Sequence, residues 1–301
     1  MSRRSKITMI VAAGLLLLGI IICLISSAVA SGADVKLFRQ VKNKDGNFVS
    51  SYDDFSDSIK KITIDLNYAD VNVIGGADKL KIELINFPTE NFKLTSSATT
   101  VKLTEQSGLS IGLGLDFEGL RDVIHSVEFQ GKRRTVNIYV NDGMGLEIFD
   151  LKVYSGNLLV KDCNFDAKYT IKLDYGSLKI SDTSSAKSIY ADILEGNIDV
   201  SGGTIGSLTA MLGKGYESID KADVTVVNAS IDKGYFIYLT VGDALLSCVI
   251  RLDSGDGRVR FNDDIYENGK FSQGVKYTGN SSVVQKELTV NIKSGNILIS
   301  K

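Results

Sequence analysis

The sequence predicts an all-β fold, a single-chain β-solenoid (β-helix-like) of about 20 residues per coil, and three observations predict it. First, a glycine-centred motif recurs between residues 151 and 301: Ser155-Gly156-Asn157-Leu158-Leu159-Val160, Tyr175-Gly176-Ser177-Leu178-Lys179-Ile180 and Glu195-Gly196-Asn197-Ile198-Asp199-Val200. The glycines continue at Gly215, Gly234 and Gly255 and, after a doubled step, Gly295. Second, the residues five and three before each glycine are apolar, from Leu151 and Val153 through Ala191 and Ile193 to Val290 and Ile292, the period-two pattern of a strand with one buried face. Third, the chain holds 29 Gly, one Pro and no Trp, and is rich in aliphatic residues, which suits many short strands joined by turns.

The first element is different. Ile7 to Ala30 carries no charge and follows Arg3, Arg4 and Lys6. At about 1.5 Å per residue such a stretch crosses a bilayer core as a helix, and the basic flank keeps the N-terminus in the cytoplasm. Residues 1–30 are therefore expected to be a basic tip and a transmembrane anchor, with the remainder extracytoplasmic. A cleaved signal peptide is the rival reading, since Ala28-Val29-Ala30 resembles a small-residue cleavage site; the length of the apolar run favours the anchor. Cys23 does not mark a lipoprotein, because Ile20, Ile21 and Ile22 precede it where small residues are needed.

Residues 31–60 read as a connector and N-terminal cap. Asp45-Gly46, between Val35–Lys42 and Asn47–Ser51, predicts a hairpin turn. The neighbouring Asn43 and Lys44 lack the alternating carboxylates of a calcium loop. From Lys61 the alternation of Ile62, Ile64 and Leu66, then Val71 and Val73, then Leu80, Ile82 and Leu84 predicts the first coils of a domain over 61–301. An insertion at 107–131 interrupts it. Gly112, Gly114 and Gly119 there miss the dinucleotide fingerprint, and Phe117, Leu120, Val123 and Ile124 fall at helical spacing, as in a covering segment.

Within the repeats, inward positions also follow each glycine: Leu158 and Val160, Leu178 and Ile180, Phe236 and Tyr238, Ile297 and Ile299. Glu217 and Gly257 break this column. A leucine-rich repeat has a similar period, but its spaced Leu and recurring Asn are missing. The exposed ends of a solenoid need protection, here expected from the segment before Ile62 and from Lys301.

Chemistry is sparse. His125 is the only histidine, so nucleophilic systems built on His have one candidate, inside the insertion. Cys163 and Cys248 fall four repeats apart, about 19 Å at ordinary strand spacing, beyond disulfide reach. Asp253, Asp256, Asp263 and Asp264 form the densest acidic group in the repeats, at positions where turns also need Asp. Asn157, Ser177, Asn197, Tyr216, Tyr235, Asp256 and Asn296 follow ladder glycines and should form an outward polar, partly aromatic strip suited to glycan or protein. No catalytic, cofactor-binding or metal-ligating residues emerge. Removing the three positive charges of Arg3, Arg4 and Lys6 takes the formal net charge from −2 to −5, which argues against nucleic acid as a partner.

Lys61-Ile62-Thr63-Ile64-Asp65 with Ala69-Asp70-Val71-Asn72-Val73, the Ser-Gly-Asn turns, and Val290-Asn291-Ile292-Lys293-Ser294-Gly295-Asn296-Ile297 resemble the bacterial putative-adhesin domain family of the Toastrack superfamily. The resemblance covers residues 60–301. It implies a β-solenoid-like envelope domain behind an N-terminal membrane segment, and supplies no catalytic residues. The leading expectation is a non-enzymatic, membrane-anchored extracytoplasmic adhesin or envelope scaffold with an envelope protein or glycan as partner. A carbohydrate-active β-helix enzyme on cell-wall or extracellular polysaccharide, and an accessory sensor in envelope stress signalling, are the alternatives.

Overall fold

The computed structural model describes residues 41–42, 44, 47–87, 92–105, 132–164, 166–181, 184–239, 248–273 and 286–300. The N-terminal segment, the 107–131 insertion with His125, and Lys301 lie outside them. The described residues belong to one compact unit, Val41–Lys301, and are all-β, without a helix.

The body is a stack of parallel coils. Its regular part runs through β9 (Ile148–Ser155) and β10 (Leu158–Lys161), then β11 (Lys168–Ser181), β12 (Ser185–Ser201), β13 (Thr204–Asp220) and β14 (Asp223–Leu239), each paired in register with the next. In β12 the inward residues are Ala186, then Ile189, Ala191 and Ile193, then Ile198 and Val200. The two irregular steps, where the pairing also skips, are bends that divide the coil into three short strands. Every predicted inward residue before and after the glycines is buried, and a further column lies seven residues before them, with Phe149 stacked on Tyr169 at 5.5 Å. Each fully buried Leu, Ile or Val adds about 1.5–3 kcal/mol to the stack.

The corner glycines hold the coils together by what they lack. A Cβ on Gly176 would lie 1.7 Å from the carbonyl oxygen of Gly156, and one on Gly196 would lie 1.6 Å from that of Gly176. Both also take φ values near +150°, at 145° and 157°, where L side chains are strained. The carbonyl of one corner thus occupies the side-chain position of the next.

At both ends the order in space departs from the order in the chain. β3 (Lys61–Tyr68) and β4 (Asp70–Ile74) form a coil beneath β9 and β10, with Ala69 at the corner. Beyond it lies a coil that comes later in sequence, made of β7 (Thr100–Glu105) and β8 (Thr135–Tyr139). Residues 106–131, which join these two strands in sequence, lie outside the described residues. β5 (Lys81–Ile85), expected as a coil strand, instead runs antiparallel to β8; β2 (Phe48–Tyr52) runs antiparallel to β5, and β6 (Phe92–Ser96) to β7, so the outer edge is capped. The hairpin read from Asp45-Gly46 is present as β1 (Val41–Lys42) paired with β2, although those two turn residues are outside the described set.

At the other end β19 (Lys286–Ser300) inserts between β14 and a terminal coil made of β15 (Cys248–Ser254) and β16 (Val259–Phe261). The doubled glycine step is explained by this: Gly295 stacks on Gly234, and Gly257, rather than Gly255, stacks on Gly295. Gly257 is thus the ladder glycine of its coil and not a break, with Leu252 and Val259 inward. The terminal edge is covered by β17 (Asp264–Tyr266) and β18 (Lys270–Gln273), antiparallel to β16 and β15; the protection expected from Lys301 falls outside the described residues. Cys163 is a free, buried thiol whose Sγ donates to the Lys161 carbonyl at 3.2 Å; burial pushes its pKa up to about 12, an inert state. Six strand spacings, about 29 Å, separate its coil from that of Cys248.

Glu217 is the true break. It occupies the inward column between Ile198 and Phe236, is fully buried, and neither carboxylate oxygen has a hydrogen-bond partner. Burial raises its pKa from 4.5 to about 8.

Two outcomes are expected. Gly196→Ala should cost about 3 kcal/mol or more in denaturant unfolding, whereas Gly145→Ala, where an added Cβ meets nothing within 4 Å, should change stability by less than about 0.5 kcal/mol. For Glu217, the folded chain keeps a proton between 4.5 and about 8 that the unfolded chain has lost. Stability should therefore fall as pH rises through that window, by about tenfold in the folding constant per pH unit, and level off above it. Glu217→Gln should flatten this dependence; equal pH slopes for the two proteins would refute the burial argument.

Candidate functional site

The feature that stands out on the surface is a row of tyrosines along the glycine-corner edge. Tyr68 ends β3, Tyr154 lies near the end of β9, and Tyr175 immediately precedes Gly176 in β11, so three successive coils contribute one ring each. The ring centroids are 5.8 Å apart for Tyr68 and Tyr154 and 5.5 Å for Tyr154 and Tyr175, both edge-to-face. All three are exposed, at 57%, 44% and 42%. The phenol of Tyr154 is raised above its ordinary pKa, first by Tyr175 and then by partial desolvation, Tyr68 and the charge of Asp174, so it stays a hydrogen-bond donor at neutral pH.

Beside Tyr68 lies a cleft of about 420 Å³, lined by Asp70, Arg133, Arg134, Ser155 and Gly156 among others. Glu105, the last residue of β7, ties that strand to the start of β8 and to β3 beside the cleft: it accepts from Arg134 at 2.9 Å and from the Asn67 amide at 2.7 Å. Asp70 accepts from the Asn157 amide at 2.8 Å and from Arg133 at 3.2 Å. The Arg133 side chain is 78% exposed, with most of its donors facing solvent.

The outward strip read from the sequence is divided between structure and surface. Asn157 Oδ1 accepts from the Ser177 amide, Asn197 Oδ1 from Tyr216, and Asn296 Oδ1 from Arg258, so these side chains satisfy corner amides of adjoining coils. Tyr216 donates to Asp199 and stacks on Tyr235 at 5.9 Å; burial, followed by the charge and hydrogen bond of Asp199, raises its pKa. Of the acidic group, Asp253 pairs with Lys270 at 3.3 Å, while Asp256, Asp263 and Asp264 are exposed turn or strand-edge residues. Among the described residues no cluster of three or more His, Cys, Asp or Glu could hold a metal ion.

Sequence reasoning missed the tyrosine row. Tyr68 and Tyr175 each stand one residue before a corner residue, Ala69 and Gly176, and Tyr154 stands two before Gly156. Recognising Ala69 as a corner would have brought them together.

No family model matches the chain, and no curated protein does. Among solved structures it is similar to a protein described as a "putative adhesin" from Bacteroides fragilis, with 11% identity, a TM-score of 0.44, and 86% of this chain and 98% of that one covered. A "putative cell adhesion protein" from Clostridium sporogenes gives 12% identity, a TM-score of 0.32 and coverage of 84% and 99%. A "putative lipid binding protein" from Parabacteroides distasonis gives 10%, 0.28, and 87% and 100%. At such scores and identities these similarities assign neither a family nor an activity.

Glu105→Ala should lower stability by about 1–3 kcal/mol, since it strands Arg134 and the Asn67 amide, while Glu105→Gln should retain part of the loss because it still accepts from Asn67. Denaturant unfolding of the two variants measures the difference.

Proposed function

We propose that the chain is a non-enzymatic binding protein of adhesin type, held in the membrane by a helix over residues 7–30, with its β-solenoid outside the cytoplasm. The observation that carries the binding part is the exposed tyrosine row running into the Arg133 cleft. Aromatic rings left in water across three consecutive coils, with a cation at one end, form an amphipathic rail on a rigid scaffold. The anchoring part rests on the uncharged run Ile7 to Ala30 and its basic flank.

Two measurements test this. A cysteine placed at Tyr235, an exposed position, should be labelled in intact cells by a membrane-impermeant thiol reagent above the background of the unsubstituted chain, with the full-length protein in the membrane fraction. Labelling only after lysis overturns the topology. The purified full-length chain should also bind isolated envelopes saturably; an absence of saturable binding overturns the adhesin reading.

A further inference from the structure

We propose that the tyrosine row and the Arg133 cleft together form a binding site for an acidic saccharide chain, with a sugar carboxylate on Arg133 and the following sugar rings lying along Tyr68, Tyr154 and Tyr175. This rests on the binding reading above and names the chemistry of its ligand.

The rail fits a sugar chain in three respects. Its rings are spaced by the coil repeat over a line about 10 Å long, each turned steeply to the next, so ring faces and ring edges alternate along a chain of regularly spaced units. Each ring joins an apolar face to a hydroxyl, and a pyranose likewise joins an apolar face of C–H groups to a rim of hydroxyls. The rail is also narrow: Ser155, Asp174 and Glu195 adjoin it, so it presents three rings, where a stable protein interface takes about 20–30 residues a side. Those polar neighbours supply acceptors for sugar hydroxyls.

Charge selects an acidic member of that class. Among the described residues, Lys132, Arg133 and Arg134 stand here against two carboxylates, Asp70 in the lining and Glu105 paired with Arg134 beside it, a local excess of one positive charge in a chain whose formal net charge is −2. Asp70 is committed to the Asn157 amide and side chain as well as to Arg133. The exposed guanidinium of Arg133 keeps donors for a second carboxylate, and its planar fork matches that group. Asp174 and Glu195 lie at the Tyr175 end, so the site has a direction: the acid group belongs at Arg133, and a carboxylate at the far end would be repelled.

The test uses the full-length chain in mild detergent, titrated with a short oligogalacturonate, its fully methyl-esterified counterpart and a neutral oligosaccharide. Calorimetry gives affinity, and tyrosine fluorescence can be read directly because the chain has no Trp. The acidic oligomer should bind saturably and about tenfold or more tighter than its ester. Tyr154→Ala combined with Tyr175→Ala should weaken it about tenfold with the chain still folded, its cooperative melting transition kept and only modestly lowered by loss of the ring contacts. Arg133→Gln should bring the acid down to the affinity of the ester, and Tyr235→Ala, on the other strip, should change nothing. Absence of saturable binding, equal affinity for acid and ester, or full binding by the double tyrosine variant each overturns the proposal. If envelopes are still bound saturably in any of those cases, the saccharide assignment falls and the adhesin reading stands; if they are not, both fall.

Discussion

Everything in this molecule depends on a carbonyl oxygen placed where a side chain would otherwise be. At each regular corner the oxygen of one coil fills the Cβ position of the glycine in the next, from Gly156 over Ala69 through to Gly257 over Gly295. The approach is too close for any other residue, so it fixes both the spacing and the register of the coils. A slip of one residue would drive a side chain into that oxygen and turn every inward residue outward. With the register pinned, the columns of Ile, Leu and Val align without further specification, and the tyrosines of three separate coils reach one edge.

The ends are built by a different rule. A solenoid that merely stopped would present a row of unpaired amides and carbonyls. Here the outermost coil at each end is displaced in sequence from its spatial neighbour and is covered by antiparallel strands: β5 and β6 at one end, β17 and β18 at the other. The ion pair of Glu105, at the end of β7, with Arg134, just before β8, lies next to Tyr68, so the candidate site adjoins one of these capped ends.

The inward columns were legible in the sequence because burial on one face of a strand imposes a period of two, and the coil imposes about twenty. What was not legible follows from the same rules. Reading Gly255 as the corner in place of Gly257 shifts the phase by two, which preserves parity, so Ile250 and Leu252 still read as inward and Gly257 alone looks like a break. The intercalation of β19 leaves no trace beyond the doubled glycine step, since any of these strands offers a similar apolar face to any other. Glu217 was visible as an interruption, but only the packed column between Ile198 and Phe236 shows that its carboxyl is fully enclosed. The polar strip lies outward as its positions imply, but the hydrogen bonds by which its asparagines satisfy corner amides of adjoining coils need the stacked register to be seen. The tyrosine row escaped because its members stand at two different offsets from the corners, one of which is an alanine.

The placement of β19 bears on how the chain is assembled as it emerges from the ribosome or a translocation channel. β15 to β18 appear before β19, yet they belong beyond it, so they have no coil to rest on when they first arrive. Until β19 slots in, the growing stack ends at the bare edge of β14 and the distal coil stays unseated. The final closing event therefore joins two parallel interfaces at once, a non-local step that is slow in kind. A chain interrupted before it would carry two open edges, a state that cellular proteases and chaperones are suited to recognise.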